Sequence, residues 1–378
     1  MRIALIRARY NPYGGAERFM SRAIAALAAR GESVTLIARE WDEAAIREAG
    51  VTLQRCDPFH LGNVWRDISF ARAAREIVAS GNFDLVQSHE RIAGFDVYRA
   101  GDGVHAEWLA QRRRALSGAG RFALHLNPYH HYVLDAERRM FADAGLRAVV
   151  CNSEMVRGEI RAHFGVSPDK LHVIYNGVDP EYFHLGLRQA HRAAVRSKLG
   201  ISGDAALFLL VGSGFARKGV RALLAALERL PGARAIIVGT DRRLPQYRDG
   251  APAGAVFVGG QEDVRPYYGA ADVFVLPTLY DPQPNAAIEA LACGLPVVTS
   301  TKCGAAELLE EGISGFVRDA ADIGGFADAM RLAADPARNS AMRDAARQVA
   351  EVLTLDRMAS RLLMLYRSLQ AERRVQVA

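Results

Sequence analysis

The chain has 378 residues, 50% of them hydrophobic and 24% charged, which suits two ordinary globular domains and excludes a disordered or fibrous protein. A formal charge of +6 and a pI near 9.2 favour anionic partners: nucleotides, phosphorylated sugars or an acidic membrane surface. With no RNA-binding motif and no Lys-rich tail, nucleic acid is the weakest of these.

Cys56, Cys151, Cys293 and Cys303 have no metal-ligand spacing and read as free buried thiols in a reducing cytoplasm. The apolar run at residues 1–6 is shorter than a signal peptide requires. No run approaches the ~18 apolar residues of a membrane span. The expected setting is cytoplasmic, with membrane contact only from the inner face.

Residues 2–8 predict a strand, followed by a loop carrying Gly14 and Gly15, a helix from Ala16 towards Arg30, and a second strand at 33–38. A diglycine between strand and helix lets a ligand approach the backbone and exposes N–H groups at a helix start. It is not the Gly-x-Gly-x-x-Gly of dinucleotide binders, so no nicotinamide cofactor is expected. A helix at 66–80 and a strand at 84–89 follow. Beyond them Asp96, Asp102 and His105 form the polar cluster nearest a strand end in this half. Such an Asp after Gly reads first as a turn residue.

Residues 106–141 interleave aromatics with cations: Trp108, Arg112, Arg113, Arg114, Arg121, Phe122, Tyr129, Tyr132, Arg138 and Arg139. The mix suits an anionic bilayer surface, and equally a pair of solvated surface helices. A strand at 148–153, a helix at 154–164 and a strand at 171–174 close this half. Residues 175–179 read as a hinge, and 186–199 as a poorly patterned stretch rich in Arg and Ala.

Strands are then expected at 207–212, 234–240, 255–260, 273–277, 296–300 and 315–318, with helices between them. Alternation of this kind implies a parallel, doubly wound sheet. After the first of these strands, Gly214 precedes Arg217 and Lys218. A planar fork beside a point charge on a glycine-rich turn suits a diphosphate. After the 273–277 strand comes Asp281, then a short Ala-rich helix with Asn285 and Ala286 at its start and Glu289 inside it. Two carboxylates at a strand's carboxyl end are acceptors matched to sugar hydroxyls, and the helix start suits an anion. The tail at 354–370 predicts a last helix.

Asp281 and Glu289 are separated by seven residues, led in by Pro277, Thr278 and Tyr280 and followed by a Gly-Leu-Pro-Val-Val exit from Gly294. This pattern resembles the acidic signature of the retaining glycosyltransferases of family 4, with Asp281 in place of the usual Glu. The Gly14–Gly15 pair, the Gly-x-x-x-x-Arg-Lys-Gly run from Gly212 and residues 175–179 match that family too. The runs around Gly214, Asp102 and Gly14 resemble its branch that glucosylates the lipopolysaccharide core.

The resemblance implies the GT-B fold, two Rossmann-like domains facing a cleft. Residues 1–175 would bind the acceptor and 176–353 the nucleotide sugar, while 354–378 would form a helix crossing back to the first domain. It implies donor-binding roles for Gly14, Gly15, Gly214, Arg217, Lys218, Asn285, Ala286 and Glu289. Asp281 would contact the sugar, and Asp102 would line the catalytic cleft. The expected activity is transfer of a hexose from a nucleotide diphosphate sugar, UDP-glucose, to a saccharide or glycolipid acceptor. No metal or other cofactor is expected. The alternatives are a GT-B epimerase or phosphorylase, and a non-catalytic nucleotide-sugar-binding module at a membrane surface.

Overall fold

The computed structural model describes residues 1–8, 27–28, 30–41 and 50–377. Gly14, Gly15 and the expected first helix apart from residues 27, 28 and 30 lie outside the described residues. The chain divides into two compact units, Met1–Tyr175 with Leu355–Ala378, and Asn176–Thr354.

The first unit is built on seven parallel strands: β1 (Arg2–Ile6), β2 (Ser33–Ala38), β3 (Thr52–Arg55), β4 (Leu85–Ser88), β5 (Val97–Ala100), β6 (Ala148–Cys151) and β7 (Leu171–Val173). Their order is β3-β2-β1-β4-β5-β6-β7. Side chains alternate across a strand, so β1 serves two cores. Ile3 and Leu5 pack with Val34, Leu36 and the last helix, Leu355–Val377, through Met358, Leu362, Tyr366 and Leu369. Ala4 and Ile6 face Phe70 and Ala74 of helix Gly62–Ser80. Apolar burial on both faces explains why these strands read as continuous hydrophobic runs. Tyr366 also donates to Gln87 Oε1 at 2.7 Å, which satisfies a polar pair inside that core.

The second unit repeats the plan with six parallel strands, β8 (Leu207–Val211), β9 (Arg234–Val238), β10 (Ala255–Gly259), β11 (Val273–Leu276), β12 (Val297–Ser300) and β13 (Gly315–Arg318). Their order is β10-β9-β8-β11-β12-β13. The order reverses between β8 and β11. In open parallel sheets ligands bind at the carboxyl ends of the strands flanking such a switch.

Three segments differ from the expectation. Residues 52–55 and 97–100 are strands; both are only four residues long and carry Arg55 or Arg99, which hides them from a search for apolar runs. Residues 187–198, read as poorly patterned, form helix Leu187–Lys198. Its Arg188, Arg192 and Arg196 lie along one face, i, i+4 and i+8. They donate to the carboxylate of Asp272 at 3.3, 2.7 and 2.6 Å. Asp272 also accepts from the Leu207 N–H at 3.0 Å, so one carboxylate ties the helix to the entries of β8 and β11. Burial alone would raise the Asp272 carboxyl; Arg192 and Arg196 outweigh it and hold the group below the usual carboxylate range. Among the described residues, no helix is long and apolar enough to cross a membrane.

Candidate active site

Two loops of the second unit straddle its switch point, one leaving β8 and the other leaving β11. Beyond β8, Gly214 takes a left-handed φ of 76° and begins a single helical turn, Phe215–Lys218. The next residue, Gly219, is also left-handed at 74°, and a Cβ there would stand 1.8 Å from the Pro277 carbonyl oxygen. Only glycine lets the β11 exit pass this closely. The contact is secured by the Leu279 N–H and the Thr278 hydroxyl, which donate to Arg217 O at 2.9 and 2.8 Å. On the other side Asp241 Oδ2 accepts from the Phe215 N–H at 2.7 Å and caps the turn.

This close passage brings Asp281 against both cations. Its Oδ2 accepts from Lys218 Nζ at 2.6 Å and from Arg217 Nη1 at 2.9 Å. Asp281 and Lys218 are 5% and 7% exposed, whereas the Arg217 side chain is 38% exposed. Burial would raise the Asp281 carboxyl; Lys218 and Arg217 overcome that and hold it below the ordinary range. The carboxylate is thereby ionised at neutral pH and keeps both cations at the sheet edge. The Asp281 backbone is fixed as well, its N–H donating to Lys302 O and its carbonyl accepting from the Gly304 N–H.

Helix Asn285–Ala292 begins four residues later, after Pro284, which offers no side-chain cap. The Asn285 side-chain oxygen accepts from Asn176 Nδ2 at 2.7 Å, and the Asn176 N–H donates to Gln283 Oε1 at 2.6 Å. The 175–179 run therefore holds the acidic loop. Gln283 Nε2 is buried without a hydrogen-bond partner among the described residues. Glu289 is the one charged residue in this otherwise apolar helix, and its Oε2 accepts from Tyr268 Oη at 2.9 Å. Ala286 O lies 3.1 Å from the same hydroxyl, whose single proton is shared between the two acceptors.

Gly214, Arg217, Lys218, Asp281, Asn285, Ala286 and Glu289 thus cluster around the two loops after β8 and β11. Asn176, Asp241, Tyr268 and Gln283 were not singled out from the sequence. Asn176 lay within the recognised hinge at 175–179, which was its only signal. Asp241 and Gln283 look like ordinary loop residues until the hydrogen bonds are seen.

In the first unit, Asp102 follows β5 and is about half exposed. It lies 3.8 Å from both Arg7, past β1, and Arg91, past β4. Arg91 is oriented from below by Glu137, a buried carboxylate that accepts from its Nε at 2.8 Å and from the His105 N–H at 2.9 Å. His105 Nε2 and His130 Nδ1 are 3.1 Å apart. Burial, with Arg91 and His130 nearby, pulls His105 down to about 3, so the ring stays neutral at physiological pH. Asp96 does not join this group. Its carboxylate accepts from the Val86 N–H at 2.9 Å and braces β4.

Residues 13–182 match the family description Glycosyltransferase Family 4, and residues 205–335 match Glycosyl transferases group 1. The lipopolysaccharide glucosyltransferase WaaG of Escherichia coli is 27% identical over 84% of this chain and 85% of its own. A D-inositol 3-phosphate glycosyltransferase of Catenulispora acidiphila is 30% identical over 58% of this chain and 57% of its own. Among solved structures, that of WaaG superposes with a TM-score of 0.81 at 24% identity, covering 95% of this chain and 98% of that one. Anabaena HepE in complex with UDP-glucose gives 0.74 at 19% identity, covering 97% and 100%. With two Rossmann-like sheets and glycosyltransferase matches in both units, the chain is a glycosyltransferase of the GT-B class and is similar to WaaG.

Proposed function

We propose that this enzyme transfers glucose from UDP-glucose, with retention at the anomeric carbon, to a saccharide of the lipopolysaccharide core or a related cell-envelope glycan. The observation that carries the reading is the pairing of Arg217 and Lys218 on one oxygen of Asp281, at the switch point of the second sheet. The likeness to WaaG, a lipopolysaccharide glucosyltransferase, supports the acceptor class. The likeness to a fold crystallised with UDP-glucose supports the donor.

The leaving group is a nucleoside diphosphate, so the step calls for charge stabilisation rather than a strong acid. Arg217, the more exposed cation, meets the diphosphate first, and Lys218 adds a point charge from below. The N–H groups of Asn285 and Ala286 supply the positive end of a helix, with Gly214 allowing close approach. These cations supply the charge that a metal would otherwise bring, and no metal is assigned. Glu289 accepts from the ribose hydroxyls; Gly14 and Gly15, for which the resemblance implies a donor role, lie outside the described residues. Asp281 acts chiefly as the anchor of the two cations, with one oxygen left for the sugar. In the first unit Asp102, held by Arg91, orients the acceptor hydroxyl. No nucleophile is assigned; the cationic sugar is attacked on the face its leaving group departs from.

The acceptor's setting implies a lipid surface. We assign this contact to the helices His105–Arg114, Gly118–Leu126 and Pro128–Phe141, whose arginines would meet anionic headgroups on the inner face of the membrane. A screen of nucleotide sugars by thermal shift tests the donor assignment. UDP-glucose at 100 times its dissociation constant should add about 2.7 kcal/mol of stability. No stabilisation by any nucleotide sugar would overturn it.

A further inference from the structure

Among the described residues ten large hydrophobic side chains are exposed, and six of them fall in two short stretches of the first unit. Single exposed apolar residues need no explanation, but a clustered set marks an interaction surface. The first stretch is Phe59, Leu61, Trp65 and Ile68, from 49% to 74% exposed. Leu61, Trp65 and Ile68 are spaced i, i+4 and i+7, an outward stripe on the start of helix Gly62–Ser80, whose buried residues are Phe70, Ala71 and Ala74. Phe59 meets Trp65 edge-on, with centroids 6.0 Å apart. The second stretch is Phe122 and Leu126 on helix Gly118–Leu126, where Leu124 is the one buried residue.

Helices Gly62–Ser80 and Gly118–Leu126 both adjoin helix Pro128–Phe141. That helix starts two residues past Leu126, and its Tyr129 Oη donates at 3.1 Å to Asp67, which lies between Trp65 and Ile68 in sequence. The surroundings are cationic. Residues 105–141 hold six arginines against three carboxylates, and Arg113, Arg114 and Arg121 are exposed. Apolar stripes with an aromatic, bordered by arginines, match an anionic lipid surface in both of its layers, headgroup and acyl chain.

We propose that Phe59, Leu61, Trp65 and Ile68 form an insertion edge that enters the headgroup–acyl boundary of an anionic membrane, beside the arginines of residues 105–141. This rests on the membrane reading given above and adds a second, apolar element to it. Arginines alone attract a surface from a distance, weaken as salt rises and fix no orientation. An inserted edge binds independently of salt and sets one face of the first unit against the lipid.

The test uses the full-length protein carrying Trp108→Phe, so that Trp65 becomes the exposed indole while Trp41 stays buried. On phosphatidylcholine vesicles containing phosphatidylglycerol, Trp65 emission should shift to the blue and be quenched by brominated acyl chains. Leu61→Ser with Trp65→Ser should lower vesicle binding at least about tenfold, most visibly at high salt, and leave hydrolysis of soluble donor unchanged. Suppose instead that binding depends on Arg112, Arg113 and Arg114 while Trp65 stays unquenched and the double variant binds normally. The insertion edge is then wrong and the electrostatic contact stands. Failure to bind any vesicle removes both. A dimer in lipid-free buffer that the double variant dissolves would make the stripe a contact between copies and overturn the proposal.

Discussion

Gly219→Ala tests the geometry on which the donor loops depend. The residue sits at φ 74°, where an L side chain costs about 1–2 kcal/mol. A Cβ there would lie 1.8 Å from Pro277 O, and no Cβ tolerates less than 3.0 Å, so the chains must part by at least 1.2 Å, the difference of the two. Parting them strains the bonds of Thr278 and Leu279 to Arg217 O, each worth about 1 kcal/mol net. The expected loss is about 3–4 kcal/mol by urea denaturation. A displacement of that size between Asp281 and its cations should also lower turnover by about 100-fold. Gly200→Ala is the control. It shares the left-handed backbone, at φ 62°, with nothing within 4 Å of the added carbon, so it should lose only about 1–2 kcal/mol and keep full activity. If the two variants match in both urea midpoint and turnover, the close passage of Gly219 and Pro277 does not organise the site.

Lys218→Ala should lower turnover efficiency ten- to hundred-fold in a folded protein, since a charge-assisted contact is worth about 1.5–3 kcal/mol; unchanged steady-state kinetics would remove Lys218 from the donor site. Glu289→Gln should weaken donor binding by about 1–3 kcal/mol in calorimetry, and equal affinity of the wild-type protein for UDP and its 2′,3′-dideoxy analogue would count against the ribose role. Asp272→Asn leaves three arginines facing a neutral group and should cost about 3–5 kcal/mol. Because the Asp272 carboxyl is held below its unfolded value, its contribution is complete above about pH 4 and fades as pH falls through the folded pKa. Chemical-denaturation curves at several pH values should therefore show a shallower acid dependence in the variant.

Much of this was legible because parallel strands buried on both faces announce themselves as apolar runs. β1, β2, β8, β11 and β12 were each found within a residue or two at either end. β5 was not, because its central Arg99 is buried and breaks the apolar run that marked the others. Helix Leu187–Lys198 escaped notice because composition masked its period. Arginines at 188, 192 and 196 form a single stripe, and a stripe of like charge implies a buried counter-charge that sequence alone cannot locate. At the site, residue types and spacing marked the loops after β8 and β11 but not the direction each side chain takes. Asp281 was expected to face a sugar, and its carboxylate is found bonded to Lys218 and Arg217. That depends on the Gly219–Pro277 approach, a contact across 58 positions of sequence.

The last helix, Leu355–Val377, supplies Met358, Leu362, Tyr366 and Leu369 to a core whose strands are among the first residues made. On the ribosome, residues 1–175 emerge with this core still lacking its last helix and must wait for some 200 more before it can close. The intervening unit, contiguous in sequence, is free to fold in the interval. The half synthesised first is therefore completed last. Until then its core is short of Met358, Leu362, Tyr366 and Leu369, and a ribosome that stalls late releases a chain with one finished half and one unfinished.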